Sequence, residues 1–251
     1  MKIIQSILTK NPCYTAGKKI TVKGLMLHSV GTPQPSASVF IRNWNRAEYS
    51  RACVHAFIDG NNGKVYQTLP WNHRGWHCGG TGNNKYIGVE MCEPACIRYV
   101  SGTTITCTDR VTARAVVQRT YDTSVALFAH LCVKYELDPM KDIISHREAG
   151  AKGIASNHSD PEHLWKQLGM GYTMDTFRKA VKATMIGNTT YRAKITASVL
   201  NVRKGAGINH PITTTVRKGE IYTIVDESNG WGKLKSGAGW INLNYTQKLK
   251  S

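Results

Sequence analysis

The sequence predicts an α/β domain with a mixed central β-sheet flanked by helices, followed by a small all-β barrel. Two observations support this prediction. Over residues 1–185, short apolar runs typical of strands are interspersed with helix-period segments. After a polar, turn-prone stretch at 186–190, only short strands separated by Gly, Asn and Ser turns remain. We therefore expect a larger domain over 1–185, a linker over 186–190 and a smaller domain over 191–251.

The strands and helices of the first domain are indicated by apolar periodicity and turn signals. Residues 23–27 form an apolar run typical of a buried strand, and it ends at His28. Apolar residues recur at spacings of three and four over 112–135, which predicts the longest helix. In chain order, the remaining segments are a helix at 39–47, a hairpin of 54–58 and 64–67 about an Asn-Gly turn, strands at 86–92 and 142–145, and a helix at 174–185.

The second domain carries no long helical period. Five short segments have strand character, and Gly-, Asn- and Ser-rich turns separate them. Five short strands within about sixty residues are typical of a small barrel. The segments are 193–195, 200–203, 220–226, 231–234 and 239–243.

The charge is strongly basic. Thirty-three Lys and Arg oppose 16 Asp and Glu, which gives a formal net charge of +17. Such a charge favours polyanions, namely nucleic acid, an anionic membrane or an anionic cell wall. The basic residues are spread along the chain, and no nucleic-acid-binding motif is present. We therefore expect no nucleic-acid partner, although a binder of nucleic acid remains an alternative on charge alone.

The N-terminal residues lack the apolar run and cleavage site of a signal peptide, and no segment is long enough to span a bilayer. We expect synthesis in the cytoplasm and no integral membrane segment. Seven cysteines, an odd number, argue against a disulfide framework. Free thiols are the simpler interpretation, and a metal cluster of Cys92, Cys96 and Cys107 is the alternative.

Three residues far apart in the chain are candidate metal ligands. His28 ends one predicted strand, His146 follows another, and Asp160 lies in a loop rich in Gly and Ser. A catalytic zinc site needs three N, O or S ligands and one open position for water. Spacing alone does not decide the matter, because a histidine at a strand end is often a hydrogen-bonded structural residue.

The local strings carry a resemblance. LMLHSVG, VHAFID, RGWHCGG, YIGVEMCEP and SHREAGAKGIASNHSDPEHLW, in that order, resemble the type-2 amidase family, which includes phage endolysins and peptidoglycan recognition proteins. The similarity covers about residues 23–165, and the strings most resemble those of clostridial-phage members of the family. It implies the type-2 amidase fold and a zinc enzyme, an N-acetylmuramoyl-L-alanine amidase, that cuts the bond between muramic acid and L-alanine in peptidoglycan.

The resemblance also implies roles for single residues. His28, His146 and Asp160 match the family's zinc ligands, and Glu90 matches an acidic residue that acts on the attacking water. His158 stands where many relatives have a Lys that stabilises the charged intermediate, so we expect the imidazole to take that role. Val54 stands where some relatives have a catalytic Tyr, which puts a Tyr-assisted mechanism in doubt.

Three further residues are expected to contact the substrate. His55 and His77 belong to strings that resemble the family, and Trp76 offers a flat ring for stacking. The alternative for each is a packed residue satisfied within the core. We interpret the remaining histidines as ordinary residues, and they are His73, His130, His163 and His210.

The C-terminal segment resembles a bacterial SH3-like domain. The pieces LNVRKG, VRKGE, GWGKL and GWINLNY occur in that family's order. The resemblance implies a module that binds cell-wall peptide or polymer. Four aromatic residues are candidates for a binding groove or for the core, namely Tyr222, Trp231, Trp240 and Tyr245.

These observations predict a phage endolysin that lyses Gram-positive cells. Peptidoglycan is the expected substrate, anionic wall polymers are expected to attract the positive charge, and a holin-type partner is expected to release the enzyme. The alternatives are a bacterial autolysin of the same activity and a recognition protein that binds peptidoglycan without cutting it. Asp160 favours an enzyme, because non-catalytic relatives lose a zinc ligand. The sequence does not indicate an oligomeric state.

Overall fold

The computed structural model describes residues 2–249, with the side chains of all of these except 186–189. The chain forms two compact units, one up to Lys182 and one from Ala183 onward. The first is an α/β unit with a six-stranded sheet, and the second is an all-β unit with a seven-stranded sheet. Both fold classes predicted from the sequence are confirmed.

The six-stranded sheet of the first unit is mixed. Its strand order is β1-β4-β3-β5-β2-β8, with β3 and β4 antiparallel and every other neighbouring pair parallel. A separate antiparallel hairpin is formed by β6 and β7. The strands are β1 Ile3–Gln5, β2 Gly24–Ser29, β3 Ala56–Ile58, β4 Val65–Gln67, β5 Tyr86–Met91, β6 Ile97–Ser101, β7 Thr104–Cys107 and β8 Ile143–Ser145.

The centre of this sheet positions His28 and Glu90, two of the candidate site residues. Strand β2 lies between β5 and β8, and all six of its residues are buried. The three strands run parallel, with His28 of β2 paired to Glu90 of β5. Parallel strands bring their carboxyl ends to one edge of a sheet. That edge therefore carries His28, Glu90 and the start of the segment that follows β8.

Within the described part of the chain, six α-helices accompany the sheet. They are α1 Pro12–Thr15, α2 Ala37–Trp44, α3 Arg110–Tyr135, α4 His146–Ala151, α5 Glu162–Leu168 and α6 Met174–Thr189. Helix α3 is the longest, as predicted. Its N-cap is Asp109, whose carboxylate accepts a hydrogen bond from the Thr112 backbone N–H and so satisfies one donor of the first turn.

Aromatic packing joins the last helices to α3. Phe177 of α6 and Trp165 of α5 are fully buried. The Phe177 ring lies 5.2 Å from that of Phe128 and 5.4 Å from that of Tyr121, both on α3, and each contact is edge-to-face. Edge-to-face pairs at such distances add to the stabilisation that burial gives. This cluster fixes the positions of α5 and α6, the two helices that follow the loop containing Asp160.

Several elements differ from the prediction. Strand β1, the β6–β7 hairpin and helices α1, α4 and α5 were not expected from the sequence. Helix α6 extends to Thr189, so helical backbone covers four of the five residues expected to form a linker. Each residue added to an existing helix gains one backbone hydrogen bond. A glycine such as Gly187 lowers the stability of a helix by about 1 kcal/mol relative to alanine, which does not have to end the helix.

The second unit is an antiparallel sheet in the order β11-β10-β14-β13-β12-β9-β15. Strands β11 and β15 were not predicted. The strands are β9 Tyr191–Ile195, β10 Val199–Arg203, β11 Ile212–Arg217, β12 Ile221–Ser228, β13 Trp231–Leu234, β14 Trp240–Asn242 and β15 Thr246–Lys248. Its core is aliphatic and is built from Ala193, Ile195, Leu200, Val202, Val216, Ile224, Leu234 and Ile241.

The four aromatic candidates of this unit separate by exposure. Trp231 is 8% exposed and belongs to the interior, whereas Tyr245 is 51% exposed. Tyr222 and Trp240 are half-buried. Tyr245, Tyr222 and Trp240 therefore remain candidates for a binding surface.

Two further expectations concern membranes and thiols. Across residues 2–249, no helix combines the length and apolarity needed to cross a bilayer. All seven cysteines are free thiols. Among the described residues, Cys92, Cys96 and Cys107 do not form a metal-binding group, so the free-thiol interpretation holds.

Candidate metal centre and groove

Three side chains meet at the carboxyl edge of the sheet. His28 is near the end of β2, His146 is the first residue of α4, and Asp160 lies in the loop before α5. Their exposed fractions are 1%, 5% and 7%. The structure thus brings together the three residues predicted to bind a metal.

Helix α4 begins at His146 for a local reason. Ser145 caps the helix, because its hydroxyl accepts from the Glu148 N–H while the Glu148 carboxylate accepts from the Ser145 N–H. Arg178 of α6 forms an ion pair with Glu148 and donates to the Ile143 carbonyl at 2.9 Å. These contacts hold the junction between β8 and α4, and with it the imidazole of His146.

The distances among the three side chains match those of a metal site. His28 Nδ1 lies 3.1 Å from His146 Nδ1 and 3.2 Å from Asp160 Oδ2. His146 Nδ1 lies 3.4 Å from Asp160 Oδ1. Ligand atoms at about 2.0–2.1 Å from a zinc ion, at tetrahedral angles, lie about 3.3 Å apart. The three side chains are therefore close enough to share one ion, with one ligand atom from each residue within 4.8 Å of the others.

Hydrogen bonds behind His28 determine which of its nitrogens carries the proton. His77 Nε2 lies 3.1 Å from the Tyr86 carbonyl oxygen, which accepts only, so Nε2 of His77 holds the proton. Nδ1 of His77 is then an acceptor and lies 3.0 Å from His28 Nε2. His28 therefore donates from Nε2, and its Nδ1 presents a lone pair to His146 and Asp160.

A second chain of hydrogen bonds sets the state of His146. The Ser156 hydroxyl donates to the Cys78 carbonyl at 3.2 Å and lies 3.2 Å from His146 Nε2. With Nε2 of His146 donating to that hydroxyl, Nδ1 of His146 presents a lone pair to His28 and Asp160. Two nitrogen lone pairs and a carboxylate thus face one another within 4.8 Å. A cation at their centre relieves this repulsion, so the residues fit a metal.

Burial and mutual contact set the charges of the ligands. Burial lowers the pKa of His28, which keeps the imidazole neutral. Burial acts to raise the pKa of Asp160, but its contacts with the imidazoles of His146 and His28 outweigh burial and hold that pKa below its usual range. Metal ligands must be neutral imidazole and ionised carboxylate, and the shifts of His28 and Asp160 favour these states.

Glu90 lies beside the triangle. It pairs with His28 across the parallel strands, and its side chain lines the same groove. Its Oε2 is buried and has no hydrogen-bond partner among the described residues. Burial, followed by the negative charge of Asp160, raises the pKa of Glu90 well above its ordinary value. This carboxyl therefore holds a proton more strongly than an exposed glutamate does.

The groove around these residues has a volume of about 620 Å³. His158, the position where many relatives have Lys, lies in its wall and is exposed. His158 Nδ1 is 2.9 Å from the Ser156 hydroxyl, and its ring centroid is 4.3 Å from that of His146. A polar ring therefore stands next to the metal ligands and faces the solvent.

The residues expected to contact substrate differ in their positions. Trp76 lines the groove and is 41% exposed, with the Arg74 guanidinium 5.2 Å from its ring centroid. The structure corrects the expectation for His55, which is fully buried. Its Nε2 donates to the His73 carbonyl, and its Nδ1 accepts from the Gly88 N–H, so the backbone uses both nitrogens. His77 lines the groove but is only 9% exposed, and its Nδ1 is within hydrogen-bond distance of His28 Nε2.

Sequence reasoning missed a second buried acid. Glu93 is fully buried and accepts from the Gly31 N–H at 3.1 Å and from the Tyr99 hydroxyl at 2.8 Å. The Tyr99 oxygen lies 2.9 Å from Nε2 of His163, and both rings line the groove. Burial raises the pKa of Glu93 to about 7. His163 is therefore part of the groove wall, and the signal for this network was the second acid in VEMCEP.

Known families match both units. The family described as N-acetylmuramoyl-L-alanine amidase matches residues 18–163, more than half of the chain, and this range holds every residue of the groove discussed above. The chain belongs to the N-acetylmuramoyl-L-alanine amidase family. The family described as bacterial SH3 domain matches residues 198–247, within the second unit.

Individual relatives of this amidase family member match over short stretches. N-acetylmuramoyl-L-alanine amidase CwlH of Bacillus subtilis is 36% identical over 80 residues, 30% of this chain and 30% of that protein. Probable endopeptidase p60 of Listeria welshimeri is 30% identical over 92 residues, 30% of this chain and 18% of that protein. The matched stretches thus span less than a third of either relative's length.

The fold of the family is also found among solved structures. The hydrolase AmiA of Staphylococcus aureus, solved with its ligand, superposes with a TM-score of 0.56 at 19% identity. The superposition covers 75% of this chain and 85% of that one. At this identity the likeness concerns the fold alone.

Proposed function

We propose that this protein is a zinc-dependent N-acetylmuramoyl-L-alanine amidase that hydrolyses the amide bond between N-acetylmuramic acid and L-alanine in peptidoglycan. The observation that carries the proposal is the buried triangle of His28, His146 and Asp160, in which one ligand atom from each residue lies within 4.8 Å of the others. Membership of the amidase family supports the choice of bond. We assign catalysis to residues 1–185 and wall binding to residues 191–251.

Zinc is the metal that best suits this donor set. Two imidazole nitrogens and one carboxylate oxygen are typical of catalytic zinc sites, which keep a fourth position open. All three residues line the groove, so an open position is accessible to substrate. Zinc bound there would lower the pKa of water and polarise the scissile carbonyl.

Residues of the chain supply the remaining chemistry. Glu90, with its raised pKa, accepts a proton from the attacking water and passes it to the leaving amine of L-alanine. His158, which is exposed beside the ligands, donates a hydrogen bond to the oxyanion of the tetrahedral intermediate. Trp76 offers an exposed ring face to the substrate.

The biological setting follows from charge and from the second unit. A protein of net charge +17 is attracted to the anionic polymers of Gram-positive walls, and the SH3-type unit adds contacts to the wall itself. We propose a phage endolysin that a holin-type partner releases from the host cytoplasm. A bacterial autolysin would use the same site, and a purely binding recognition protein is disfavoured by the complete ligand set.

The decisive experiment combines metal analysis with product analysis. Purified protein is expected to contain one zinc per chain and to release free L-alanine amino termini from cell walls, as read by mass spectrometry. His28→Ala and Asp160→Asn are expected to lose both zinc and activity while staying folded. His130→Ala, an exposed histidine outside the groove, is the matched control. New reducing sugar ends, or full turnover by either ligand variant, would contradict the proposal.

A further inference from the structure

We infer that His77 is a positioning residue that fixes the tautomer and orientation of His28 through a buried hydrogen-bond chain anchored at the Tyr86 carbonyl. This inference rests on the metal site of the proposed function. It replaces the contact with substrate that the sequence suggested for His77. The residue acts behind the ligand and away from the reacting atoms.

The first observation is a buried column of imidazole rings. The ring centroids of His146 and His28 are 4.8 Å apart, those of His28 and His77 are 5.1 Å apart, and those of His77 and His55 are 5.9 Å apart. All three contacts are edge-to-face. The column thus runs from the metal ligands to the fully buried His55. A ring held on both sides in this way has little freedom to turn.

The second observation is a slot in strand β5 that only glycine permits. A Cβ added to Gly88 would lie 2.5 Å from both Cγ and Nδ1 of His77, well inside the contact distance. The missing side chain is therefore what lets the imidazole lie against the strand. The backbone of His77 is fixed as well, because its N–H donates to Asn83 Oδ1 at 2.8 Å.

The consequence for His28 follows from the order of donors and acceptors. The Tyr86 carbonyl takes the proton on Nε2 of His77, so Nδ1 of His77 can only accept. His28 must then hold its proton on Nε2 and offer Nδ1 to the metal. Without His77, the carboxylate of Asp160 would draw the proton to Nδ1 of His28, 3.2 Å away, and block that ligand.

Partners of this kind matter measurably. Removing the hydrogen-bond acceptor behind a metal-ligating histidine typically lowers metal affinity 10- to 100-fold. We expect His77→Leu to weaken zinc binding by about that factor. His77→Gln keeps one acceptor and one donor near the original positions, so we expect it to retain more of the affinity than His77→Leu.

The primary test needs neither metal nor catalysis. Nitrogen-detected NMR of the metal-free full chain reports which ring nitrogen of each histidine carries a proton. In the wild type we expect the Nε2–H tautomer for both His28 and His77. In His77→Leu we expect His28 to gain Nδ1–H character. An Nδ1–H tautomer of His28 in the wild type would overturn the inference even if every variant failed to fold.

The second test measures zinc affinity by competition with a chelator, and folding is checked by thermal unfolding. His55→Leu is the matched control, since His55 is also buried but its ring nitrogens bond only to backbone, and the zinc affinity of this variant is expected to stay near that of the wild type. Equal affinity of folded His77→Leu and wild type would refute the role of His77. The proposed function fails separately, if wild-type protein binds zinc with the expected tautomers but releases no L-alanine termini.

Discussion

Replacing Glu93 by Gln isolates the effect of one buried acid on stability. Burial raises the pKa of the Glu93 carboxyl from 4.5 to about 7 in the folded protein. Between pH 4.5 and about 7, the Glu93 carboxyl is therefore protonated in the folded protein and ionised in the unfolded chain. Its stabilising contribution is complete below about pH 4.5 and is lost as the pH rises through about 7. The difference in pKa corresponds to about 3 kcal/mol in the free energy of unfolding.

The assay is urea denaturation of metal-free wild type and Glu93→Gln at several pH values. Metal is removed because metal binding also depends on pH. Loss of the helical circular-dichroism signal follows the first unit, which holds the long helix α3. Relative to the variant, wild type is expected to lose about 3 kcal/mol between about pH 4 and pH 8, because Gln has no proton to lose.

The control is Glu48→Gln, whose carboxyl is exposed. Its stability is expected to track that of the wild type at every pH, because the exposed side chain of Glu48 stays in contact with water in the folded protein. A pH-independent difference between wild type and Glu93→Gln would show that the folded-state pKa of Glu93 is ordinary. The reasoning about its burial would then be wrong.

Four more perturbations have definite expected outcomes. His158→Ala is expected to lower kcat about 100-fold and His158→Lys much less, because both His and Lys donate to an oxyanion; equal losses would exclude this role. Trp76→Ala should raise KM without lowering kcat, since Trp76 lines the groove and is 41% exposed, and initial rates on purified walls decide this. Gly239→Ala should destabilise the second unit by about 2 kcal/mol or more in thermal unfolding, because its Cβ would lie 2.2 Å from the Arg203 carbonyl. Wall binding in pull-down assays should weaken with salt, which screens charges over about 8 Å at physiological strength.

The parts of the fold that the sequence predicted are those with strong local signals. Strands β2 and β5 read as apolar runs, and α3 as an apolar stripe over many turns. Strand β1 has three residues and pairs with β4, about sixty residues away, so no local pattern marks it. The strands of the β6–β7 hairpin alternate in burial, but only Ile97 among their residues is buried, so the signal in the sequence is weak.

The site divides in the same way. His28, His146 and Asp160 could be predicted because strand ends converge and because short motifs resemble the family. The roles of His55 and His77 could not be predicted, because they depend on which imidazole ring packs against strand β5. The absent side chain of Gly88 leaves space there for the His77 ring. A glycine within a strand does not reveal such packing, because it is equally typical of a bulge or a tight bend.

The candidate metal ligands and one part of the groove wall belong to separate parts of the first unit. His28 and His146 stand on the central sheet and on α4, whereas Tyr99 stands on β6, which pairs with β7 alone. Exchanging the hairpin between relatives is therefore expected to alter the groove wall while leaving His28 and His146 in place. Such an exchange has to keep the hydrogen bonds of Tyr99 with Glu93 and His163, and those of Thr103 and Ile105 with the Gln167 side chain.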